Sequence, residues 1–382
     1  MQASDLRVAL FSGNYNYVRD GANQALNLLM GHAIAQGAQV RVYSPTTDTP
    51  AFPPTGDLVS VPAFAMPAGR GEYKVARGIK AVLPDLEAFN PNIVHVAAPE
   101  ILCHRAVSWA RRKGIATVAS VHTRFETYPQ YYHLGFLAPL MIKALTRFYN
   151  RNDVVMPTGR GMVELLQGWG VTSAMRIWSR GVYHDRFNPG MRSLEWRRSF
   201  GIADDEVVIG FLGRLVLEKG LDVFAEVIKR LQDRGVKHRV MVIGEGPARE
   251  WFAERVPTAV FTGFQSGADL SRAVASMDVF FNPSVTESFG NVTLEAMASG
   301  VAVVAAIATG PVGLVEDGVS GILCDPKDMD AYASALTRFA EDHDFRRAAG
   351  EAGFALAKNY EWDRINQVVI DAYIEAAEKR AK

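Results

Sequence analysis

The sequence predicts an α/β protein with two doubly wound parallel sheets in tandem. Short β-branched or aliphatic runs alternate with longer amphipathic stretches along the whole chain, which is typical of βαβ units. This alternation is interrupted between Trp178 and Gly201, a segment with several glycines and a proline that indicates a domain boundary. The length of 382 residues fits two or three domains at about 150 residues each.

Each half of the chain contains a similar series of apolar runs. Strands are predicted over residues 7–11, 40–43, 93–96, 117–121 and 154–156 in the first half, and over 207–212, 239–243, 259–261, 279–281 and 301–305 in the second. Helical spacing is present over residues 22–36, 103–112 and 365–381. The last of these helices needs a surface to pack on, because one side of it carries Ile365, Val368, Val369, Ala372 and Tyr373.

The composition excludes several classes of protein. Hydrophobic residues make up 48% of the chain and charged residues 21%, which excludes disordered, collagenous and coiled-coil proteins. The 41 Lys and Arg balance the 41 Asp and Glu, so there is no overall basic charge for nucleic acid. Cys103 and Cys324 are too far apart in sequence to indicate a disulfide framework or a zinc site, which fits a reducing cytoplasm. No apolar run is long enough to span a bilayer, and the N-terminus lacks a signal-peptide pattern.

The segment from Ser284 to Gly300 is the most informative for function. It follows a predicted strand, and a helix is expected to begin at Gly290. The backbone N–H groups of Phe289, Gly290, Asn291 and Val292 would then be free to bind an anion such as a phosphate. Glu287 in the loop and Glu295 on the helix could each accept hydrogen bonds from sugar hydroxyls. The alternative is a surface loop followed by an ordinary helix glutamate.

A second segment, Gly213 to Gly220, follows another predicted strand. Gly213 permits a tight turn, and Arg214 and Lys219 place two cations where the strand ends and a helix begins. Ligands of open α/β sheets bind at that edge, and a diphosphate would take charge-assisted hydrogen bonds from such a pair. The alternative is that Arg214 and Lys219 are solvated cations of a surface loop.

His122 ends a predicted strand in the first half of the chain. A histidine at this position could bind a ligand, and the alternative is a packed structural histidine.

These segments together resemble family-four retaining glycosyltransferases. The hallmark of that family is a glutamate pair separated by seven residues in a Phe-Gly context, which Glu287, Phe289, Gly290 and Glu295 match. The segment around His122, the string from Ser179 to Val182 and the string from Phe187 to Pro189 also look like the family. The resemblance covers essentially the whole chain.

The resemblance implies the GT-B fold, in which two Rossmann-like domains face each other across a cleft. Residues 1–185 would form the acceptor-binding domain, joined by residues 362–382 as the last helix crosses back. Residues 186–361 would bind the nucleotide sugar. The first βα loop, from Gly13 to Gly21, departs from the paired-glycine turn of many relatives and lacks a G-x-G-x-x-G fingerprint, which weakens a dehydrogenase interpretation.

The family also implies a role for each matching residue. Arg214 and Lys219 would bind the diphosphate, Glu287 the sugar hydroxyls and Glu295 the ribose. His122 would line the donor-sugar pocket, Gly21 would face the reacting sugar, and the loop at Phe264 would contact the base. The catalytic group is then predicted to comprise His122, Arg214, Lys219 and Glu287. The nucleotide-sugar contacts are predicted to be Gly21, Gly213, Arg214, Lys219, Phe264, Phe289, Gly290, Asn291, Val292 and Glu295.

The expected reaction is transfer of a sugar from a UDP- or GDP-sugar to a lipid or lipid-linked acceptor, with no cofactor. No metal is expected, because Asp328-Met329-Asp330 lies at a predicted helix start where acids complement the helix dipole. The alternatives are a nucleotide-sugar epimerase or hydrolase on the same scaffold, or a non-catalytic nucleotide-sugar-binding protein. Arg19 and Arg124 could pair with the carboxylate of a uronic acid donor, or they could be structural or bind the acceptor.

Two basic strips in the first half suggest peripheral binding to an anionic membrane, at the inner face of the cell membrane. Pro139 can open a helix in which Lys143, Arg147 and Arg151 recur every four residues, next to the apolar residues Phe136, Leu137, Leu140, Met141 and Ile142. The second strip follows an apolar loop at 64–67 and contains Arg70, Lys74, Arg77 and Lys80. Cations beside apolar groups suit a membrane interface, and the alternative is that the apolar residues face the core.

Overall fold

The computed structural model describes residues 1–18, 20–65, 74–127 and 135–382. The chain folds into two compact units, one formed by Met1–Arg180 with Trp362–Lys382 and the other by Gly181–Glu361. The boundary therefore lies after Arg180, whereas the sequence analysis places it after residue 185. Val182 explains the difference, because its N–H donates to the Tyr360 carbonyl at 2.9 Å and its side chain is buried in the core of the second unit.

The first unit contains a parallel sheet with the strand order β3-β2-β1-β6-β7-β8-β9, and an antiparallel hairpin formed by β4 and β5. The strands are β1 (Arg7–Phe11), β2 (Gln39–Ser44), β3 (Asp57–Ser60), β4 (Ala63–Ala65), β5 (Lys74–Ala76), β6 (Ile93–Val96), β7 (Ala116–Val121), β8 (Val154–Pro157) and β9 (Ala174–Met175). β6 and β7 are buried along their whole length, as expected for strands covered on both faces.

Helices connect these parallel strands and cover them. They are α1 (Gly21–Ala35), α2 (Leu83–Phe89), α3 (Ile101–Lys113), α4 (Ala138–Tyr149), α5 (Arg160–Gly168) and α13 (Trp362–Ala381), the last from the far end of the chain. Asp20 caps α1 by accepting a hydrogen bond from the Asn23 N–H, and Gly114 ends α3 in the left-handed conformation. No helix in the described part of the chain is long and apolar enough to cross a bilayer.

The terminal helix α13 belongs to the first unit, as predicted. It contacts α1, β6 and β7, and buries Ile365, Val369 and Tyr373. The Asn366 side chain accepts a hydrogen bond from the Trp178 indole at 3.2 Å, in a buried position. The prediction is wrong for Val368, which remains exposed because the helix turns it away from this surface.

The second unit contains a parallel sheet of six strands in the order β12-β11-β10-β13-β14-β15. The strands are β10 (Val208–Leu212), β11 (Arg239–Ile243), β12 (Val260–Gly263), β13 (Val279–Asn282), β14 (Ala302–Ala306) and β15 (Gly321–Cys324). The helices are α6 (Leu194–Ser199), α7 (Leu221–Asp233), α8 (Arg249–Arg255), α9 (Gly267–Ala275), α10 (Asn291–Ala298), α11 (Met329–Glu341) and α12 (His343–Ala357). One face of the sheet buries a cluster of aromatic rings, in which Phe224 stacks on Phe281 with centroids 5.0 Å apart.

The α/β fold with two Rossmann-like halves is confirmed, and each of the ten predicted strands is present within about two residues of its predicted bounds. The strands β3, β4, β5, β9 and β15 were not predicted. β9 has only two residues and β4 and β5 only three, which is too short for a periodic signal.

The helix α4 begins as Pro139 predicts, and the helix together with the short turn before it, Gly135–Leu137, carries exposed apolar and basic residues. Phe136 is 76% exposed and Leu140 is 66% exposed. Lys143 and Arg147 are also exposed on this helix. We define the α4 patch as the exposed set Phe136, Leu137, Leu140, Lys143 and Arg147. Met141 is not part of it, because this side chain packs against the core of the first unit.

Other basic residues of the two predicted strips are held differently. Arg151 lies beyond the end of α4, and its guanidinium donates to the Ser108 hydroxyl at 2.7 Å, so it is withdrawn from the strip. Lys74 donates to the Thr46 carbonyl at 2.6 Å. Arg70 lies outside the described residues, as do Met66 and Pro67 of the adjacent loop, while Arg77 and Lys80 are exposed.

Candidate active site

The two glutamates of the predicted site lie on either side of a helix start in the second unit. β13 ends at Asn282, and α10 begins at Asn291 with Gly290 as its N-cap. Gly290 has a φ of +98°, and a Cβ there would lie 3.1 Å from Glu287 Oε2, so this turn requires glycine. The first amides of α10, including those of Asn291 and Val292, precede the hydrogen-bonded ladder of the helix and can bind an anion.

Glu287 is held by two partners, one for each carboxylate oxygen. Lys219 Nζ lies 3.2 Å from Oε1, and the Asn282 amide donates to Oε2 at 3.1 Å. The same Asn282 amide donates to the Thr293 hydroxyl at 3.1 Å, which fixes its orientation. The Glu287 side chain is only 9% exposed, and the ammonium group of Lys219 balances its charge. Asn282 escaped the sequence analysis, although a polar residue at the end of an apolar strand is the signal that could have revealed it.

Glu295 lies one helical turn further along α10. Burial raises the pKa of its carboxyl to about 7, the Arg186 charge acts to lower it, and the Glu287 charge adds to the increase. The carboxyl therefore changes its ionisation near neutral pH. The sequence analysis did not identify Arg186, because nothing in its position along the chain indicates that its charge acts on Glu295.

The loop after β10 contributes the two predicted cations. Gly213 has a φ of +152°, and the Arg214 side chain that follows is exposed and forms no ion pair with any described residue. Gly220, with a φ of +74°, lies against Pro283 in the loop after β13, where an added Cβ would approach the Pro283 carbonyl to 3.1 Å. This contact aligns the two loops, so that Lys219 reaches Glu287 while Arg214 remains available to a ligand.

These loops lie at the topological switch point of the second sheet. β10 pairs with β11 on one side and with β13 on the other, so the connections after β10 and β13 leave in opposite directions. Open α/β sheets bind ligands in the crevice that forms at the carboxyl ends of such strands. The location and the residues therefore suit a ligand that carries both an anionic group and hydroxyl groups.

The two aromatic residues predicted for this site have different environments. Phe289 is buried, and its ring centroid lies 6.0 Å from that of Tyr360, so it supports the loop from inside. Phe264 follows β12 and is 77% exposed, which leaves its ring free to stack on a flat ligand. The neighbouring Gln265 amide donates to the Thr262 carbonyl at 2.7 Å and closes the turn.

In the first unit, His122 follows β7 and contacts the guanidinium of Arg180. Arg180 Nη2 lies 2.5 Å from His122 Nδ1, and a guanidinium can only donate, so Nδ1 accepts and the ring hydrogen is on Nε2. Burial lowers the pKa of His122 well below its usual value, and the Arg180 charge adds to this. His122 is therefore neutral near pH 7, with its ring hydrogen on Nε2. Arg180 is itself buried over the Trp178 ring, and burial lowers its pKa to about 10.

The first βα loop ends at the start of α1. Gly21 is the first residue of that helix and is exposed, beside the capping carboxylate of Asp20. Burial raises the pKa of Asp20, while hydrogen bonds from the α1 backbone and the Arg180 charge act to lower it. Arg19 of this loop lies outside the described residues.

Two further predictions concern acidic and basic pairs. Arg124 forms an ion pair with the buried Glu126 at 2.7 Å, which supports a structural role for this arginine. Asp328 caps α11, as its predicted helix start requires, and Asp330 forms ion pairs with Arg230 and Arg234. No three His, Cys, Asp or Glu side chains of the described residues form a group that could hold a metal ion.

Comparisons with known proteins identify the family of this chain. Residues 19–186 match the family description "Glycosyltransferase Family 4", and residues 206–342 match "Glycosyl transferases group 1". A GDP-mannose-dependent alpha-mannosyltransferase of Mycolicibacterium smegmatis is 30% identical over 339 residues, which cover 87% of each chain. The sulfoquinovosyl transferase of Arabidopsis thaliana is 32% identical over 291 residues, covering 74% of this chain and 56% of the plant protein.

A solved structure shows the same architecture. The sucrose-phosphate synthase of Thermosynechococcus elongatus matches with a TM-score of 0.75 and 19% identity, covering 96% of this chain and 98% of the other. The fold and the site thus define a GT-B glycosyltransferase. Within this class, the chain belongs to glycosyltransferase family 4.

Proposed function

We propose that this protein transfers a hexose from a UDP- or GDP-sugar to a lipid or lipid-linked acceptor, with retention of anomeric configuration and without a metal ion. The observation that carries this proposal is the cluster of Lys219, Glu287 and Asn282 at the switch point, beside the start of α10. The cluster combines a cation and open amides for a diphosphate with a fixed carboxylate for sugar hydroxyls. The mycobacterial relative, named as GDP-mannose-dependent, favours GDP-mannose among the donors.

The proposed chemistry is electrostatic stabilisation of the leaving group. As the glycosidic bond of the donor loosens, negative charge grows on the diphosphate, and Arg214, Lys219 and the first amides of α10 would offset it. These groups would neutralise the charge of the leaving diphosphate, which a metal ion does in other transferases. Glu287 would bind hydroxyls of the donor sugar, and Glu295 those of the ribose.

Retention by a front-face route is supported by the state of Glu287. A double displacement needs a carboxylate nucleophile that can form a bond to the anomeric carbon. Both oxygens of Glu287 are engaged, one by Lys219 and one by Asn282, which suits a hydrogen-bonding group better than a nucleophile. The acceptor would then attack from the face that the diphosphate leaves.

A thermal-shift screen of sugar nucleotides tests donor binding and metal independence together. We expect GDP-mannose or a UDP-hexose at 100 times its Kd to stabilise the protein by about 2.7 kcal/mol, with no change on adding EDTA. The screen should include UDP-glucuronic acid, whose carboxylate could pair with Arg124, and UDP-sulfoquinovose, because the plant relative is a sulfoquinovosyl transferase. Loss of activity in EDTA with recovery on adding manganese or magnesium would contradict the metal-free mechanism.

Incubation with the donor alone separates a transferase from its rivals. A transferase without an acceptor is expected to release sugar only slowly, because water replaces the acceptor poorly. Rapid formation of an epimeric sugar nucleotide, or rapid hydrolysis, would identify the epimerase or hydrolase instead. Tight binding without any turnover in the presence of a lipid extract would favour a non-catalytic binding protein. The products are identified by mass spectrometry and NMR.

The lipid acceptor and the membrane location are supported by the α4 patch. Phe136 and Leu140 expose large apolar side chains beside the cations Lys143 and Arg147. An exposed apolar group beside cations suits the interface of an anionic bilayer, where each basic residue contributes about 1 kcal/mol. An enzyme that glycosylates a lipid headgroup must reach that interface, so we propose that this face docks on the inner surface of the cell membrane.

Co-sedimentation with vesicles tests this docking. We expect binding to vesicles that contain anionic lipid, weaker binding at high salt, and roughly a thirtyfold loss when Lys143 and Arg147 are both replaced by Ser. Replacing Phe136 and Leu140 by Ser should reduce binding at both salt concentrations. Lys229→Ser, an exposed change on α7, serves as the control. Equal binding of all variants would exclude the α4 patch as the docking site.

A further inference from the structure

Glu100 is a carboxyl in the first unit that neither the sequence analysis nor the proposed mechanism uses. It lies just after β6, at the N-cap of α3, and is partly buried. Its Oε1 accepts hydrogen bonds from the Gly13 N–H at 2.5 Å and from the Cys103 thiol at 3.8 Å. Its Oε2 accepts no hydrogen bond from any described residue, so one oxygen is fixed and the other is available.

The position of this carboxyl depends on the glycine opposite. A Cβ at Gly13 would lie 2.0 Å from Glu100 Oε2, so the carboxyl occupies the space of the missing side chain. Any larger residue at position 13 would expel it. The carboxylate of Glu100, at the N-cap of α3, therefore lies against the loop that follows β1.

The carboxyl also lies at the topological switch point of the first sheet. β1 pairs with β2 on one side and with β6 on the other, and Gly13 and Glu100 follow β1 and β6 respectively. Crevices at such points are where open α/β sheets bind their ligands. Glu100 thus holds, in the first sheet, the place that Glu287 holds in the second.

The ionisable groups around this crevice differ in pKa. Burial raises the pKa of Glu100 to about 7, while hydrogen bonds from Gly13 and Cys103 act to lower it. Burial also raises the pKa of the Cys103 thiol well above its usual value, and His122, after β7, has its pKa far below neutrality. Burial also raises the pKa of Asp20 at the start of α1, so a variant of Asp20 is needed to separate its ionisation from that of Glu100.

We infer that Glu100 binds a hydroxyl of the acceptor, and that the part of the acceptor bound in this crevice is an uncharged sugar ring or polyol. This inference rests on the proposed function, because it takes the first unit to hold the acceptor. A carboxylate accepts hydrogen bonds and repels phosphate and carboxylate groups. The Gly13 N–H, which could otherwise bind an anion, is occupied by Glu100 itself.

The test uses the full-length protein and two uncharged probes, methyl α-D-mannopyranoside and myo-inositol. Their affinities are measured by ligand-observed NMR at pH 6 and pH 8. With a pKa of about 7, the ionised fraction of Glu100 rises from about one tenth to about nine tenths over this range, so affinity should rise roughly tenfold. Glu100→Gln keeps an oxygen for the Gly13 N–H but cannot ionise, so its affinity should be low and independent of pH.

Two controls separate the alternatives. Glu87→Gln, on the surface of α2, should behave like the unmodified protein. Asp20→Asn keeps the cap of α1 and should preserve the change near pH 7. The inference is overturned if neither probe binds, if Glu100→Gln retains the pH dependence, or if Asp20→Asn abolishes it. Sugar-nucleotide binding is measured on the same samples, so its absence would refute the proposed transferase independently of the result with the probes.

Discussion

Replacing Lys219 by alanine is expected to lower kcat/KM for sugar transfer by about a hundredfold. Two effects contribute. In the proposed mechanism the change removes a cation from the leaving diphosphate, and it also leaves the Glu287 carboxylate, which is 9% exposed, without its ion-pair partner. Loss of one charge-stabilising group at the reacting centre costs about 3 kcal/mol, which corresponds to that factor in rate. Arg214→Ala should have a similar effect through the diphosphate alone.

Initial rates at varied donor concentration measure this change. Lys229→Ala on α7 removes an exposed cation from the same unit and is the matched control, with an expected change of less than twofold. Circular dichroism and thermal unfolding establish that each variant is folded. If Lys219→Ala and Arg214→Ala both transfer sugar within threefold of the unmodified rate, the proposed stabilisation of the diphosphate is wrong.

The two glutamates are expected to separate binding from turnover. Glu287→Ala should reduce kcat by about a hundredfold with little change in donor affinity, because the proposed contacts of Glu287 with the sugar would strengthen as the ring distorts. Glu295→Ala should instead weaken donor binding by about tenfold to a hundredfold, the effect of losing hydrogen bonds to a charged group. Calorimetry of donor binding and steady-state kinetics measure the two quantities. Glu341→Ala, an exposed change on α11, is the control, and small equal effects of both site variants would refute the assignment.

The pH dependence of donor binding gives a second test of Glu295. Its pKa is raised to about 7, and the ionised carboxylate is the better acceptor for ribose hydroxyls. Donor affinity should therefore increase as pH rises through 7 and decrease below it. Glu295→Gln should bind the donor with an affinity that no longer changes over this range.

The parts of this protein that were predictable from sequence are those with local signals. The run from Val279 to Phe281 is strongly apolar and short, so it predicts a buried strand, and Gly290 and Asn291 predict the helix start that follows. By contrast, β9 has only Ala174 and Met175, and it forms because β8 provides an edge to pair with. Such a strand depends on its neighbour rather than on its own residues.

The site divides in the same way. Glu287, Glu295, Arg214 and Lys219 could be proposed from the sequence because they stand in a recognisable spacing along the chain. The roles of Asn282 and Arg180 depend on contacts that spacing does not reveal. The contact between Arg180 and His122 joins residues 58 positions apart. Glu100 and Gly13 are separated by 87 positions, and only the folded sheet brings them together.

The terminal helix α13 has a consequence for the order in which the protein folds during synthesis. The second unit is one continuous segment, Gly181–Glu361, whereas the first unit needs Trp362–Lys382 to cover β6, β7 and α1. Until that helix leaves the ribosome, the side chains of His95 and Trp178 lack their Tyr373 and Asn366 partners. The usual order, in which the N-terminal domain folds first, is then reversed. The nascent chain would complete its second unit before the last helix is available to cover the first unit.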